Sequence, residues 1–157
     1  MNMKVGVVMG SASDLEVMKG TFEVLDQFGI EYEKKVLSAH RTPAALEAWV
    51  KDGRERGIAA FIAAAGGAAH LAGVVAALTT LPVIGVPIMS KALRGLDSLL
   101  AMVQMPSGIP VATVAIDGSK NAALLAIEIM AVTDRNLQEK LRAFRDEQAR
   151  KILDTEI

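Results

Sequence analysis

The chain contains no cysteine, which excludes disulfide frameworks, thiolate metal sites and cysteine nucleophiles at once. It also lacks a surplus of either charge. Its 17 Lys and Arg stand against 18 Asp and Glu, a formal net charge of -1, so there is no electrostatic footprint for nucleic acid or an anionic membrane surface. Aromatic residues are scarce at 4%, and there are 2 histidines. From Gly57 to Ser90 no Lys, Arg, Asp or Glu occurs. That stretch does not read as a membrane span. Gly66-Gly67 interrupts it, His70 is polar, and Pro82 and Pro87 bracket Val83-Ile84-Gly85-Val86, so no unbroken apolar run of ~20 residues survives. The start, Met1-Asn2-Met3-Lys4, leads straight into a strand pattern and lacks the layout of a signal peptide. A cytoplasmic protein with a small-molecule ligand is expected.

What the chain has in abundance is small apolar residues. Hydrophobic residues make up 52% of the 157, much of that alanine, against 22% charged. This length suits one domain, residues 1–157, that buries its core without disulfide or metal staples. So apolar a chain carries more surface to bury than one protomer's core holds, which predicts an obligate homo-oligomer.

Strand and helix patterns alternate. Lys4 to Met9 is a valine-rich run ending in Gly10-Ser11-Ala12-Ser13-Asp14, which has turn and helix-capping chemistry. Leu15, Met18, Phe22 and Leu25 recur at helical spacing before Gly29 stops the pattern. Glu31 to Leu37 is strand-like, and a helix follows with Thr42 as N-cap, Pro43 at its first position, Leu46, Trp49, Val50 and Gly53 on one face, and Gly57 as its end. Ile58 to Ala64 shows no polar alternation, as in a strand covered on both faces. A helix near Leu71 to Thr79, a strand at Pro82 to Val86, a helix from Leu96 to Gln104, a fifth strand at Val111 to Ile116 and two terminal helices complete the reading. In the last, roughly Asp134 to Leu153, the apolar Leu137, Leu141, Phe144 and Ile152 stand amid charges, to pack on the chain's own domain or on a neighbouring subunit. The fold class is α/β: a three-layer sandwich around a flavodoxin-like parallel sheet of order 2-1-3-4-5, with an extra C-terminal helix.

In such sheets ligands bind outside the carboxyl ends of the strands. This rule selects Gly10 to Asp14, Ser38 to Pro43, Ala65 to His70 and Pro87 to Arg94, and both histidines, His40 and His70, fall in these loops. Gly10-Ser11-Ala12-Ser13-Asp14 offers hydroxyls and backbone donors to a phosphorylated ligand and Asp14 to a ribose; capping by Ser13 or Asp14 would equally account for them. In Ser38-Ala39-His40-Arg41-Thr42-Pro43 the guanidinium can hold an anion and the imidazole can carry a proton near neutral pH. Its plain alternative is an Arg41 ion pair beside a capped helix. Ala65-Gly66-Gly67-Ala68-Ala69-His70 lets backbone come close to a carboxylate or CO2, or simply turns tightly.

Together these segments resemble class I N5-carboxyaminoimidazole ribonucleotide mutase. The resemblance rests on Val8 to Asp14, Ser38 to Pro43 and Ala65 to Leu71. It extends through Gly85-Val86-Pro87, Gly95 to Leu100, Val103 to Pro106 and Gly108 to Val111, nearly the whole chain in order. One departure is Ala72, where the family usually has proline after the His-Leu pair. The resemblance implies that Ser11, Ser13 and Arg41 take the substrate phosphate and Asp14 the ribose. Ser38, Ala39, Ala65 and Gly66 would face the migrating carboxyl group beside Gly10 and Gly67, and His70 and Leu71 would close the pocket. It implies His40 as the general acid and base, no metal or cofactor, a homo-octamer with sites at subunit boundaries, and a hand-off of substrate from a carboxylating synthetase. A related class II form carboxylates aminoimidazole ribonucleotide directly, and its third loop reads differently from Ala65 to Ala72. A non-enzymatic flavodoxin-like or receiver-like module fits less well. Met9-Gly10 and Ala64-Ala65 stand where a receiver needs acids, while Tyr32 mid-strand and Trp49 mid-helix are misplaced for a flavin.

Overall fold

The computed structural model describes residues 3–156. Met1, Asn2 and Ile157 lie outside the described residues, and so do the first two positions of the lead-in Met1–Lys4. The elements run β1 (Lys4–Met9), α1 (Leu15–Phe28), β2 (Glu31–Val36), α2 (Pro43–Lys51), β3 (Ile58–Gly66) and α3 (Leu71–Leu78). Then follow β4 (Val83–Ile88), α4 (Leu96–Val103), β5 (Ala112–Thr113), α5 (Ser119–Ala131) and α6 (Arg135–Leu153). The five strands form one sheet in the order β2-β1-β3-β4-β5, with every pairing parallel. Parallel neighbours require crossovers, and the helices that make them cover both faces.

Alternation along the strands divides the core in two. Val5, Val7 and Met9 of β1, with Ala60, Ile62 and Ala64 of β3, pack under α1, α5 and the start of α6. Val8, Phe61, Ala63 and Ala65 point the other way, against Leu46 and Val50 of α2, Leu71 and Val75 of α3 and Met102 of α4. The methyl side chains of β3 let both helix layers sit close to the sheet. The buried Phe61 ring fits because two neighbours have no side chain: a Cβ on Gly6 would stand 2.7 Å from its ring, and one on Gly53 2.6 Å.

Several features differ from the sequence expectation, among them β3 and β4 continuing to Gly66 and Ile88, where loops were expected. The fifth strand is Ala112–Thr113 rather than Val111 to Ile116. Pro110 has no N–H to start a ladder earlier, and beyond Thr113 only separated bonds continue, Val114 N–H to Gly85 O and Asp117 N–H to Pro87 O. Leu15 is 41% exposed, because the first turn of α1 lies past the sheet edge and its buried face begins at Met18. The second helix stops at Lys51, and turns carry the chain on to Gly57, whose φ is 87°. In α6, Leu137 is buried and Leu141 and Phe144 pack on the core, but Ile152 is exposed at the far end, where α6 has run past the domain. That helix therefore docks on its own chain through its first half.

Gly6→Ala is expected to lower stability by about 1–3 kcal/mol, the usual cost of overpacking a filled core, read as a reduced urea midpoint at unchanged slope. The double variant Gly6→Ala, Phe61→Leu should recover part of that loss.

Candidate active site

Two roomy hollows lie at opposite ends of the sheet. The larger, about 910 Å³, lies between Lys51–Glu55, Thr79–Val83 and Gly108–Ala112, at the amino ends of β4 and β5, the wrong end of a parallel sheet for a ligand. The other, about 540 Å³, opens at the carboxyl ends of β1, β3 and β4 and is walled by Gly10, Ser11, Ser13, Asp14, Ser38, Ala39, His40, Arg41, Ala65, Gly66, Gly67 and Leu71, among others. Its volume suits a small-molecule ligand. Of the residues picked from sequence, all but His70 line this cleft. His70 stands behind His40 instead, its Nδ1 2.8 Å from His40 Nε2 and its ring edge-on at 84°.

Local chemistry explains how each loop is shaped. Ser11, not Ser13 or Asp14, caps the short 3-10 turn Ala12–Asp14: its hydroxyl accepts from Ser13 N–H, while Asp14 Oδ2 accepts from Ser11 N–H in a reciprocal box. Asp14 is 7% exposed. Desolvation raises its pKa most, the Ser11 N–H opposes that, and the nearby Asp117 carboxylate raises it further. Asp117 comes close because the start of α5 is pinned to α1, where Thr21 Oγ1 donates to Ser119 O at 2.8 Å. In the second loop Ser38 Oγ accepts from the N–H groups of both His40 and Arg41, at 3.3 and 3.0 Å. Thr42 sits at the N-cap of α2, but its hydroxyl leaves that helix uncapped. It closes the loop, accepting from Ser38 N–H and donating to Ser38 O. The turn so formed pushes both His40 and Arg41 outward, and both are exposed.

A single hydrogen bond between two ring nitrogens needs one to carry hydrogen and the other to be bare. Which ring donates depends on the tautomer. Arg41 supplies a fixed positive fork at the same mouth. Among the described residues no group of three His, Asp or Glu side chains gathers as a metal-ligand set, and no helix is long and apolar enough to cross a membrane.

Sequence reasoning missed part of the cleft. Val17, Ala68, Ile88, Met89 and Ser90 also line it. The Pro87 to Arg94 loop was selected by position, but none of its residues was assigned a role, because nothing in Ile88-Met89-Ser90 signals chemistry. Behind it, Asp97, Ser98 and Asp117 hold the wall, and only their hydrogen bonds in the fold reveal them.

A doubly wound sheet with a carboxyl-end cleft lined by imidazole, guanidinium and hydroxyl groups has the chemistry to receive an anionic small molecule. The AIR carboxylase family profile matches residues 4–151, and the chain belongs to that family. It is 61% identical to the N5-carboxyaminoimidazole ribonucleotide mutase of Pyrococcus abyssi, over 94% of this chain and 84% of that protein. To the mutase of Saccharolobus solfataricus it is 56% identical, over 98% of each, and to that of Bacillus subtilis 53%, over 96% and 94%. Among solved structures, Treponema denticola PurE superposes with a TM-score of 0.87 at 31% identity, over 96% of this chain and 94% of that one. A variant of PurE2 from the same organism gives 0.90 at 30%, over 98% and 96%.

Asp14→Asn keeps an oxygen to accept from Ser11 and removes the buried charge. A carboxyl whose folded pKa is raised supports the fold fully below its unfolded value, and that support fades as pH rises through the folded one. Urea midpoints of the variant should match wild type below the ordinary value of 3.8 and move ahead of it at higher pH. A gap that stays constant across the range would contradict the buried-charge account.

Proposed function

We propose that this chain is an N5-carboxyaminoimidazole ribonucleotide mutase, an isomerase of purine biosynthesis that moves a carboxyl group from the exocyclic nitrogen to C4 of the imidazole. The observation that carries this reading is the position of His40, at the mouth of a cleft whose other walls are anion-receptive on one side and alanine and glycine on the other. Ser11, Ser13 and Arg41 take the phosphate, and Asp14 accepts from the ribose hydroxyls. Ser38, Ala39, Ala65, Gly66 and Gly67 surround the migrating carboxyl group.

The chemistry divides into two steps. The carbamate N–C bond breaks, its electron pair stays on nitrogen and a proton comes from His40, which releases CO2. The C4 electron pair then bonds to CO2, and the C4 proton returns to His40. One imidazole serves both steps because it both donates and accepts near neutral pH. His70, hydrogen-bonded to the far nitrogen, holds the ring in orientation. Released CO2 must be recaptured before it diffuses, which favours small apolar walls.

The protein acts in the cytoplasm as a homo-octamer, on substrate handed over by the carboxylating synthetase. An apolar stripe supports assembly: Leu96, Leu100 and Val103 recur along one side of α4, with Leu93 in the turn before it, and all four are about half exposed, more than an isolated protomer would leave to water.

His40→Asn should retain nucleotide binding while losing ~10² to 10⁴ in turnover, the usual worth of a positioned proton-transfer group. Full activity in that variant would overturn the assignment. Arg41→Ala is expected mainly to raise KM. Following the carboxyl label of N5-carboxylated nucleotide into the C4 product without added bicarbonate tests the reaction itself, and a requirement for bicarbonate would indicate the direct carboxylase instead. Light scattering should give a mass well above one protomer at micromolar concentration.

A further inference from the structure

The wall formed by Ile88, Met89 and Ser90 is tied down at each successive residue by a different side chain. Ile88 C=O accepts from Ser98 Oγ at 2.7 Å, Met89 N–H donates to Asp117 Oδ1 at 2.9 Å, and Ser90 Oγ donates to Asp97 Oδ1 at 2.6 Å. Ser98 does more. It is fully buried, and its hydroxyl also accepts from Gly67 N–H at 3.0 Å, so one side chain joins the loop after β3 to the end of β4. Both loops line the cleft. The same network reaches the α4 entry, where Asp97 Oδ1 accepts from Ser98 N–H and Ser90 Oγ from Gly95 N–H. Asp117 serves the wall from a left-handed backbone, φ 56°, a conformation that costs a non-glycine residue energy and persists only where surroundings hold it.

Asp97, Ser98 and Asp117 stand behind the cleft lining and not in it, and generic packing does not require a hydroxyl at position 98. A buried hydroxyl that is fully satisfied and spans two loops fixes their separation.

We propose that Ser98, with Asp117 bracing the same wall from outside, is a positioning residue that holds the Gly66-Gly67 loop and the Ile88–Ser90 wall at the spacing needed to retain CO2 between its release and its capture by C4. This rests on the mutase reading. In the intact enzyme every carbamate bond broken is followed by a C–C bond formed at C4. With the walls parted, the carbamate still breaks and nitrogen still takes its proton, but CO2 leaves and the decarboxylated aminoimidazole ribonucleotide accumulates. The readout is the partition ratio, free aminoimidazole ribonucleotide against C4-carboxylated product, and not total rate alone.

Misplacement of about 1 Å can cost on the order of 100-fold in a positioned step, so Ser98→Ala is expected to shift the partition toward decarboxylated product by about 10- to 100-fold, with labelled CO2 appearing in solvent. Asp117→Ala, at a partly exposed site, should shift it in the same direction. Asp117→Asn, which keeps an acceptor for Met89 N–H and tolerates the left-handed backbone, should restore the wild-type ratio. Amide hydrogen exchange across residues 66–67 and 88–90 gives a reading that needs no substrate, and both alanine variants should accelerate it. An unchanged partition in both alanine variants, with wild-type enzyme active, overturns the inference. Wild type that forms no C4 product from the N5-carboxylated nucleotide overturns the mutase reading instead, while the exchange data still report on the clamp.

Discussion

The parallel pairing of β1 with β3, and of β1 with β2, sets where everything else stands. In register, Met9 lies beside Ala64 on one side and Val36 on the other. Each ladder runs one step past its strands: Gly10 N–H donates to Ala64 O, and Leu37 N–H donates to Met9 O, both at 3.0 Å. The loops carrying Ser11 and His40 therefore leave the sheet at one level, while β3 runs two residues further, to Gly66 beside Ile88, before its loop begins. Because side chains alternate along a strand, a slip of one residue would turn Val5, Val7 and Met9 from one core to the other and carry Gly10 out of the cleft. The register is enforced by burial on both faces, so the apolar pattern of the strands fixes the geometry of a polar site they do not touch.

Much of this was legible from the chain. Uninterrupted apolar runs such as Ile58 to Ala64 signal strands covered on both faces, and the alternation of strand and helix leaves little choice of architecture. The loops followed from the rule that ligands sit at carboxyl ends, and the cleft gathers His40, Arg41, Asp14 and the Gly66-Gly67 turn. The edges of elements were less legible. Whether Leu15 faces inward depends on where the sheet ends, and whether Val114 extends a ladder depends on its neighbour's free carbonyls. Neither is local information. The partner of His70 was hidden too, since His40 lies 30 positions away in the chain and only the fold sets their rings side by side.

The hydroxyls of the site have structural duties first. Ser11 caps its turn, Ser38 holds the backbone of His40 and Arg41, and Thr42 shuts the loop. This division keeps the groups that would meet a ligand few and rigid, with Arg41 and His40 projected by a turn that is already complete before anything binds. A cleft organised in this way does little of its ordering at the expense of binding energy.

The two borders of the sheet differ from its centre. On one side β2 presents Glu31, Glu33, Lys34 and Lys35 along a largely exposed strand, and on the other β5 offers only Ala112–Thr113. Charges and brevity are the two ordinary ways of refusing another strand. Copies of this chain are thereby discouraged from stitching edge to edge into an open-ended ribbon. Self-association is left to helical faces such as that of α4, whose geometry can close on itself and stop.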